Sequence, residues 1–205
     1  MTIRNPQSPI RNSQHGSVFV ISAPSGAGKH TILRHVMDLD PNLEYCISAT
    51  TRLPRPGEVD GKDYYFMDRA EFMHRVEADE FVEWAQVHGR LYGTLRSELT
   101  RRLTTGKDVI LELDVQGMRN FTAGRNDAVT VFVTAPSLDA LEERLRARGA
   151  NTEDDLALRL RNARAEIAAK DSFDYVIVND KLEEAFADLQ AIIRAQRCRT
   201  LHPCS

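Results

Sequence analysis

A loop with two glycines and a lysine lies near the start of the chain and could bind phosphate. It follows Val18–Ile21, an apolar run with β-branched residues that predicts a strand buried on both faces. Helical spacing of apolar residues then predicts a helix from Lys29 to about Leu39. Glycines in such a turn let backbone N–H groups approach an anion at the positive end of the helix dipole. The loop consists of Ala23, Pro24, Ser25, Gly26, Ala27, Gly28, Lys29, His30 and Thr31.

The loop departs twice from the phosphate-binding pattern G-x-x-x-x-G-K-[ST]. Ala23 stands at the first glycine, and His30 stands where a hydroxyl residue is usual. The alternative is a plain turn before a helix, but Lys29 at the junction favours phosphate binding. Imidazole is a poor ligand for Mg²⁺, which prefers oxygen donors. Either a water held by Asp114 replaces the missing hydroxyl, which we favour, or His30 weakens catalysis.

A carboxylate ends a second apolar strand. Val109–Leu111 predicts this strand, and Leu113 and Asp114 follow it. Many strands end in Asp, but beside a phosphate loop the carboxylate can anchor Mg²⁺ or its waters next to a bound nucleotide. We therefore predict Asp114 as a metal-binding residue.

Arginines cluster in two regions that could neutralise a phosphoryl group in transfer. Arg52 and Arg55 flank a Leu-Pro pair, whereas Arg144 and Arg148 stand one helical turn apart and Arg159 follows on the next predicted helix. A single surface arginine is more often only a solvated charge. Clustering next to Pro and Gly turns, in a chain with a phosphate loop, favours phosphate contacts through the bidentate guanidinium.

Strands alternate with helices along most of the chain. Ser137 is predicted to cap one helix, Thr152 opens another with three acidic residues in its first turn, and Leu182 to about Arg197 forms the last. This alternation predicts an α/β fold of the P-loop type, with three α/β/α layers and a parallel core sheet. The further predicted strands are Tyr45–Ile47, Val109–Leu111, Val129–Val133 and Tyr175–Val178.

One region breaks the alternation and is predicted to be an insert. From about Ser48 to Thr100 the residues are polar, aromatic and rich in turn formers. We predict one domain over 17–197, preceded by a flexible leader over 1–16 and followed by a tail over 198–205. Its core would comprise 17–47, 101–137 and 168–197.

Composition limits the classes of partner. Lys and Arg number 27 against 30 Asp and Glu, a net charge of −3 that argues against general nucleic-acid binding. No apolar run approaches the length of a membrane span. Three cysteines without CxxC spacing fit a reducing cytoplasm better than a disulfide or zinc framework. The oligomeric state stays open, a homo-oligomer included.

Several blocks of sequence follow one another in order between about Ser17 and Arg197. The blocks are Ser48-Ala-Thr-Thr-Arg-Leu-Pro-Arg-Pro-Gly-Glu58, Gly61-Lys-Asp-Tyr-Tyr-Phe66, Phe81-Val-Glu-Trp-Ala85, Tyr92-Gly-Thr94, Asp114-Val-Gln-Gly117, Arg144-Leu-Arg-Ala-Arg-Gly149 and Ile177-Val-Asn-Asp180. Together they resemble guanylate kinase, and the ordered set is far more specific than any one block alone.

The resemblance implies transfer of a phosphoryl group from ATP, with Mg²⁺, to GMP. Residues 48–100 would then be a GMP-binding insert and 138–167 a mobile lid that carries Arg144, Arg148 and Arg159. Asn179 would lie near the adenine and ribose of ATP. By position in the family pattern, the phosphate of GMP would contact Arg52, Arg55, Tyr64 and Tyr92, and Glu58 would brace the two arginines. The guanine would contact Ser48, Glu83 and Thr94. Glu112 and Asp114 would lie near the bound GMP.

Three residues depart from the family pattern, and three alternative functions remain. His30 stands where Ser or Gly is usual, Thr94 where Ser is common, and Glu112 where Asp is common, which leaves the contact of its longer side chain in doubt. The alternatives are a non-enzymatic peptide-binding module, a kinase for another phosphorylated small molecule, and an impaired relative marked by His30. The presence of Lys29 argues against the peptide-binding module, and that of Glu83 argues against a kinase for another small molecule.

Overall fold

The structure is a computed structural model that describes residues 16–87, 89–123, 127–147 and 152–199. The predicted leader, except for Gly16, and the predicted tail beyond Arg199 lie outside these residues, as does Arg148.

The described residues form nine strands and seven α-helices. The strands are β1 (Val18–Ser22), β2 (Leu43–Tyr45), β3 (Ala49–Thr50), β4 (Tyr65–Phe66), β5 (Phe81–Val87), β6 (Arg90–Leu95), β7 (Asp108–Glu112), β8 (Ala128–Thr134) and β9 (Tyr175–Val178). The helices are α1 (Lys29–Leu39), α2 (Arg69–Glu77), α3 (Arg96–Leu103), α4 (Val115–Thr122), α5 (Leu138–Ala147), α6 (Glu153–Ala168) and α7 (Leu182–Cys198).

The core is a five-stranded parallel sheet in the order β2-β7-β1-β8-β9. Successive residues of β1 point to opposite faces, so Phe19 and Ile21 pack against α1, α5, α6 and α7. Val18 and Val20 face the other side, where residues of α3 and α4 pack. Since both faces are covered, β1 is apolar at nearly every position. The three-layer α/β/α fold with a parallel core sheet is confirmed.

The element bounds follow the predictions closely except at β2. The predicted strand Tyr45–Ile47 is shifted, because the paired residues are Leu43 to Tyr45, opposite Asp108 to Ile110. Cys46 still donates its N–H to the Ile110 carbonyl at 2.9 Å. At Ile47 the chain turns away from the sheet, and its N–H instead lies 3.4 Å from the carboxylate of Glu98.

A second, smaller sheet lies within residues 48–100. It has the order β4-β3-β6-β5, with β3 parallel to β4 and antiparallel to β6. Helix α2 packs against it through Phe72, which is fully buried and stacks on Phe81 with ring centroids 4.4 Å apart. The second sheet and α2 therefore share an apolar cluster of their own, separate from the two clusters of the core sheet.

The predicted helix starts agree with the hydrogen bonds. The Ser137 hydroxyl accepts the N–H of Ala140 at 3.0 Å, and the Thr152 hydroxyl accepts that of Asp155 at 3.1 Å. Each satisfies a backbone donor that the first turn of a helix leaves unpaired. Among the described residues, no helix combines the length and apolar character that crossing a membrane requires.

Candidate active site

The predicted phosphate loop connects the end of β1 to the start of α1. Gly26 and Gly28 have φ of 91° and 89°, a left-handed conformation that favours glycine. An added Cβ would also collide at Gly28, where it would lie 2.3 Å from Asn179 Nδ2, and would be crowded at Gly26, where it would lie 3.2 Å from side chains of α5. Helix α1 begins at Lys29, so its positive end faces the loop.

Two carboxylates from the end of β7 lie beside this loop. The Nζ of Lys29 is 3.0 Å from Glu112 Oε2. Asp114 caps α4, its Oδ1 accepting the N–H of Gly117 at 2.7 Å. Strands β1 and β7 are parallel neighbours, which is why their carboxyl ends bring lysine and carboxylates together.

These carboxylates suit a divalent cation that is bound mainly by a nucleotide. Within the described ranges, no group of three or more His, Cys, Asp and Glu side chains is arranged to hold a metal alone. Mg²⁺ usually keeps several waters and takes one or two carboxylates besides the phosphates. Glu112 and Asp114 supply such hard oxygen donors next to Lys29, so the residues fit Mg²⁺. His30 is exposed at the first turn of α1.

A cleft of about 180 Å³ opens between the loop and the second sheet. It brings together residues predicted for both substrates, although they come from distant parts of the chain. The loop, β7 and the second sheet all contribute. Its lining consists of Ala23, Lys29, Ser48, Tyr64, Glu83, Ala85, Val87, Tyr92, Gly93, Glu112, Leu113 and Asp114.

Arg52 is held beside this cleft by an acidic and an aromatic neighbour. Its two terminal nitrogens each lie 2.8 Å from an oxygen of Glu58, and its guanidinium is 5.2 Å from the centre of the Tyr64 ring. The ring of Tyr92 packs edge-on against that of Tyr64, with centroids 6.2 Å apart. Glu58 also accepts the backbone N–H of Arg55 at 2.6 Å, whereas the Arg55 side chain is exposed. The hydrogen bonds from Arg52 lower the pKa of Glu58 to about 2.

Glu83 is a buried carboxylate in the wall of the cleft. It is 6% exposed, and its Oε1 accepts the hydroxyl of Thr94 at 2.8 Å. Burial raises the pKa of Glu83 to about 7, against the lowering effect of the Thr94 hydrogen bond and with a further increase from Asp114. A buried carboxylate is costly unless donors reach it, and the hydroxyl of Thr94 is one such donor, while Ser48 lines the same cleft.

Two of the predicted lid arginines, Arg144 and Arg159, are described by the structure, and neither lines the cleft. Arg144 donates to the backbone carbonyl of Asn179 at 2.8 Å. Arg159 pairs with Asp155 at 2.9 Å, one helical turn away on α6. Arg148 lies outside the described residues. The loop residues Ser25 and Thr31 are exposed, and Asn179 is 4% exposed with its amide directed at the loop.

Three residues near the site were not predicted from the sequence. Burial raises the pKa of Glu166, on α6, to about 7; the charge of Lys29 lowers this pKa and that of Asp114 raises it. Tyr45 is partly buried, and burial together with the charge of Glu112 raises the pKa of its phenol. Glu98 of α3 connects the second sheet to the core, because it accepts Tyr65 Oη at 3.1 Å and the N–H of Ile47. No spacing signal distinguishes these residues from ordinary helix or strand positions.

Comparison with known proteins agrees with this geometry. The guanylate kinase family model matches residues 15–196. The guanylate kinase of Thermotoga maritima is 45% identical over 184 residues, which cover 90% of this chain and 89% of that protein. That of Synechococcus sp. (strain JA-3-3Ab) is 43% identical over 191 residues, covering 93% and 88%. The crystal structure of guanylate kinase from Anaplasma phagocytophilum superposes with a TM-score of 0.73 at 34% identity, covering 92% of this chain and 89% of that one. The chain belongs to the guanylate kinase family.

Proposed function

We propose that this protein transfers the γ-phosphoryl group of ATP to GMP, giving ADP and GDP. The observation that carries the proposal is the cleft shared by Lys29 of the phosphate loop and Glu83 of the second sheet. A donor site and an acceptor site that open into one cleft can hold two phosphates close together. Membership of the guanylate kinase family supports the same conclusion.

On the donor side, the triphosphate of ATP would lie along the loop from Ala23 to Thr31. The backbone N–H groups and Lys29 supply positive charge there. Glu112 and Asp114 would hold Mg²⁺, through its waters, against the phosphates. When bound, Mg²⁺ would neutralise charge that develops on the transferred group.

On the acceptor side, GMP would contact the second sheet. Arg52, already oriented by Glu58, would bind its phosphate together with Arg55, Tyr64 and Tyr92. The guanine edge presents N1–H and N2–H, and an ionised Glu83 accepts both. Thr94 and Ser48 complete this contact. Adenine lacks a matching pair of donors on that edge, so the same carboxylate discriminates against AMP.

The reaction itself is an in-line transfer between the two sites. A phosphate oxygen of GMP forms a bond to the γ-phosphorus as the bond to the oxygen bridging the β- and γ-phosphates breaks, and that oxygen leaves with ADP. Arg144, Arg148 and Arg159 would move toward the cleft and neutralise the transferring group. Closure of the insert 48–100 and the lid 138–167 over the core would exclude water, which otherwise competes as acceptor.

We further propose a cytoplasmic location. Three cysteines without CxxC spacing fit a reducing compartment better than a disulfide or zinc framework. A net charge of −3 argues against general nucleic-acid binding and is compatible with a local basic pocket for a small phosphorylated ligand.

The test is an assay of the purified protein with ATP, Mg²⁺ and each nucleoside monophosphate. We expect GDP from GMP and little turnover of AMP or UMP. Glu83→Gln should lower turnover of GMP, because its amide would place a donor against guanine donors. Glu80→Gln, an exposed change three residues away, is the matched control and should have no effect. Turnover of AMP or UMP without turnover of GMP would refute the proposal.

A further inference from the structure

The side chain of Asn179 contacts the phosphate loop from behind. Asn179 directly follows β9 and is 4% exposed. Its Nδ2 donates to the backbone carbonyl of Ala27 at 2.7 Å, across 152 positions of sequence. A carbonyl can only accept, so this contact also determines which way the amide points.

The backbone of Asn179 is fixed on both sides of that side chain. Its N–H donates to the Thr134 carbonyl at 2.7 Å, which continues the pairing of β9 with β8. Its carbonyl accepts Arg144 at 2.8 Å. With both backbone groups paired, the amide has little freedom to leave the loop, so the bond to Ala27 acts as a rigid support.

This bond determines the direction of the next backbone N–H. The peptide between Ala27 and Gly28 is trans, and in a planar trans peptide the C=O and N–H point in opposite directions. Because the Ala27 oxygen points toward Asn179, the N–H of Gly28 points away from Asn179. Rotation of this peptide would instead present a carbonyl oxygen to the bound phosphates and repel them.

The missing side chain of Gly28 fits the same arrangement. A Cβ there would lie 2.3 Å from the Asn179 amide nitrogen, so the amide occupies the space that a side chain would need. On the other side of the loop, Gly26 packs against Leu141 and Leu145 of α5. The loop is therefore shaped by contacts from α5 and from the end of β9.

We propose that Asn179 is a positioning residue that holds the Ala27–Gly28 peptide in its phosphate-binding orientation. The proposal rests on the proposed function, because it assigns the loop to the phosphates of ATP. It differs from the expected contact of Asn179 with the adenine and ribose, since the amide nitrogen is bonded to the loop itself.

Binding of inorganic tripolyphosphate separates the two roles. Asn179→Asp keeps the shape but removes the donor, and Asn179→Ala removes the donor without adding charge. If Asn179 positions the loop, both variants should bind ADP and tripolyphosphate at least tenfold more weakly in calorimetric titrations. Within each variant, the loss of affinity should be the same for the two ligands. Their affinity for GMP should stay within about twofold of the unchanged protein. Should neither variant fold, Asn179→Ser takes their place in the same titrations. Its side chain is shorter than that of Asn179, so the same losses of affinity for ADP and tripolyphosphate are expected.

The matched control is Asn120→Asp. Asn120 also donates its Nδ2 to a backbone carbonyl, that of Trp84, at 2.9 Å, but it lies on α4 and does not line the cleft. This variant should bind ADP and tripolyphosphate normally. Weaker ADP binding with unchanged tripolyphosphate binding would overturn the proposal in favour of a nucleoside contact. No change, or an equal loss of GMP affinity, would also overturn it. None of these titrations requires GDP formation, so they remain decisive even if the proposed reaction fails.

Discussion

Lys29 and Glu112 form an ion pair, with Nζ 3.0 Å from Oε2. The lysine opens α1, whereas the glutamate ends the neighbouring strand β7. Both side chains are about one-fifth exposed, at 22% and 20%. The pair therefore holds the lysine at the mouth of the loop while leaving it accessible to an incoming phosphate, which would compete with Glu112 for the ammonium.

Replacing this lysine should separate activity from stability. Lys29→Met removes the point charge that would follow the β- and γ-phosphates, so we expect turnover of GMP to fall by about 100-fold or more. A partly exposed ion pair contributes at most about 1 kcal/mol to folding, so the melting temperature should change little. Steady-state kinetics and thermal melting of the same preparation measure both effects. A large drop in melting temperature with near-normal turnover would contradict this assignment.

Binding of GMP should depend on pH through Glu83. Burial raises the pKa of Glu83 to about 7, so below that pH the side chain is increasingly a neutral acid. Guanine recognition needs two acceptor oxygens, hence affinity for GMP should increase from about pH 6 to about pH 8. The phosphate of GMP itself titrates near pH 6, at about the second pKa of a phosphate monoester. Glu83→Gln retains the substrate titration and should lose the remaining pH dependence.

Glu83→Gln should raise the thermal stability of the protein at the same pH at which it lowers the affinity for GMP. An exposed glutamate has a pKa of 4.5, so the folded protein binds this proton more tightly than the unfolded chain. The contribution of Glu83 to stability is therefore full below pH 4.5 and is lost as the pH rises through about 7. At about pH 8 Glu83→Gln should melt at a higher temperature than the unchanged protein, while binding GMP about 10- to 100-fold more weakly. Equal losses of affinity and stability would indicate that Glu83 is only structural.

The bidentate geometry of the Arg52 guanidinium should matter more for GMP binding than its positive charge. Arg52→Lys keeps the charge but cannot reproduce the paired 2.8 Å contacts with Glu58 that orient it. We expect KM for GMP to increase about tenfold, whereas binding of guanosine, which has no phosphate, should be unchanged. Arg75→Lys on α2, which also removes an Arg–Glu pair, is the control. An equal loss of guanosine affinity would argue that Arg52 acts on the fold of the second sheet.

His30 should be tolerated. Its side chain is exposed, and Glu112 and Asp114 already supply oxygen donors beside Lys29. His30→Ser should change turnover and the Mg²⁺ concentration for half-maximal rate by less than about twofold. A gain of tenfold or more, equivalent to about 1.4 kcal/mol of barrier, would show that the histidine impairs catalysis.

Local sequence was sufficient to predict the strand, loop and helix that carry the phosphate-binding part of the site. The apolar run of β1, the glycines of the loop and the lysine at the start of α1 are adjacent in the chain, and their conformation follows from short-range propensity and sterics. The caps at Ser137 and Thr152 are equally local. The shift of β2 away from Ile47 was not predictable, because it depends on the distant carboxylate of Glu98.

Pairings between distant residues were decided by the tertiary structure. The sequence by itself determined that Lys29 begins a helix and that Asp114 follows an apolar strand, but not that Glu112 contacts the lysine. The sheet order β2-β7-β1-β8-β9 puts the ends of β1 and β7 side by side and brings Asn179, beyond β9, to the loop. Periodicity reports which face of an element is buried, whereas the neighbour it packs against depends on how all strands assemble. That assembly turned a local phosphate loop into a site with a braced backbone and a paired lysine.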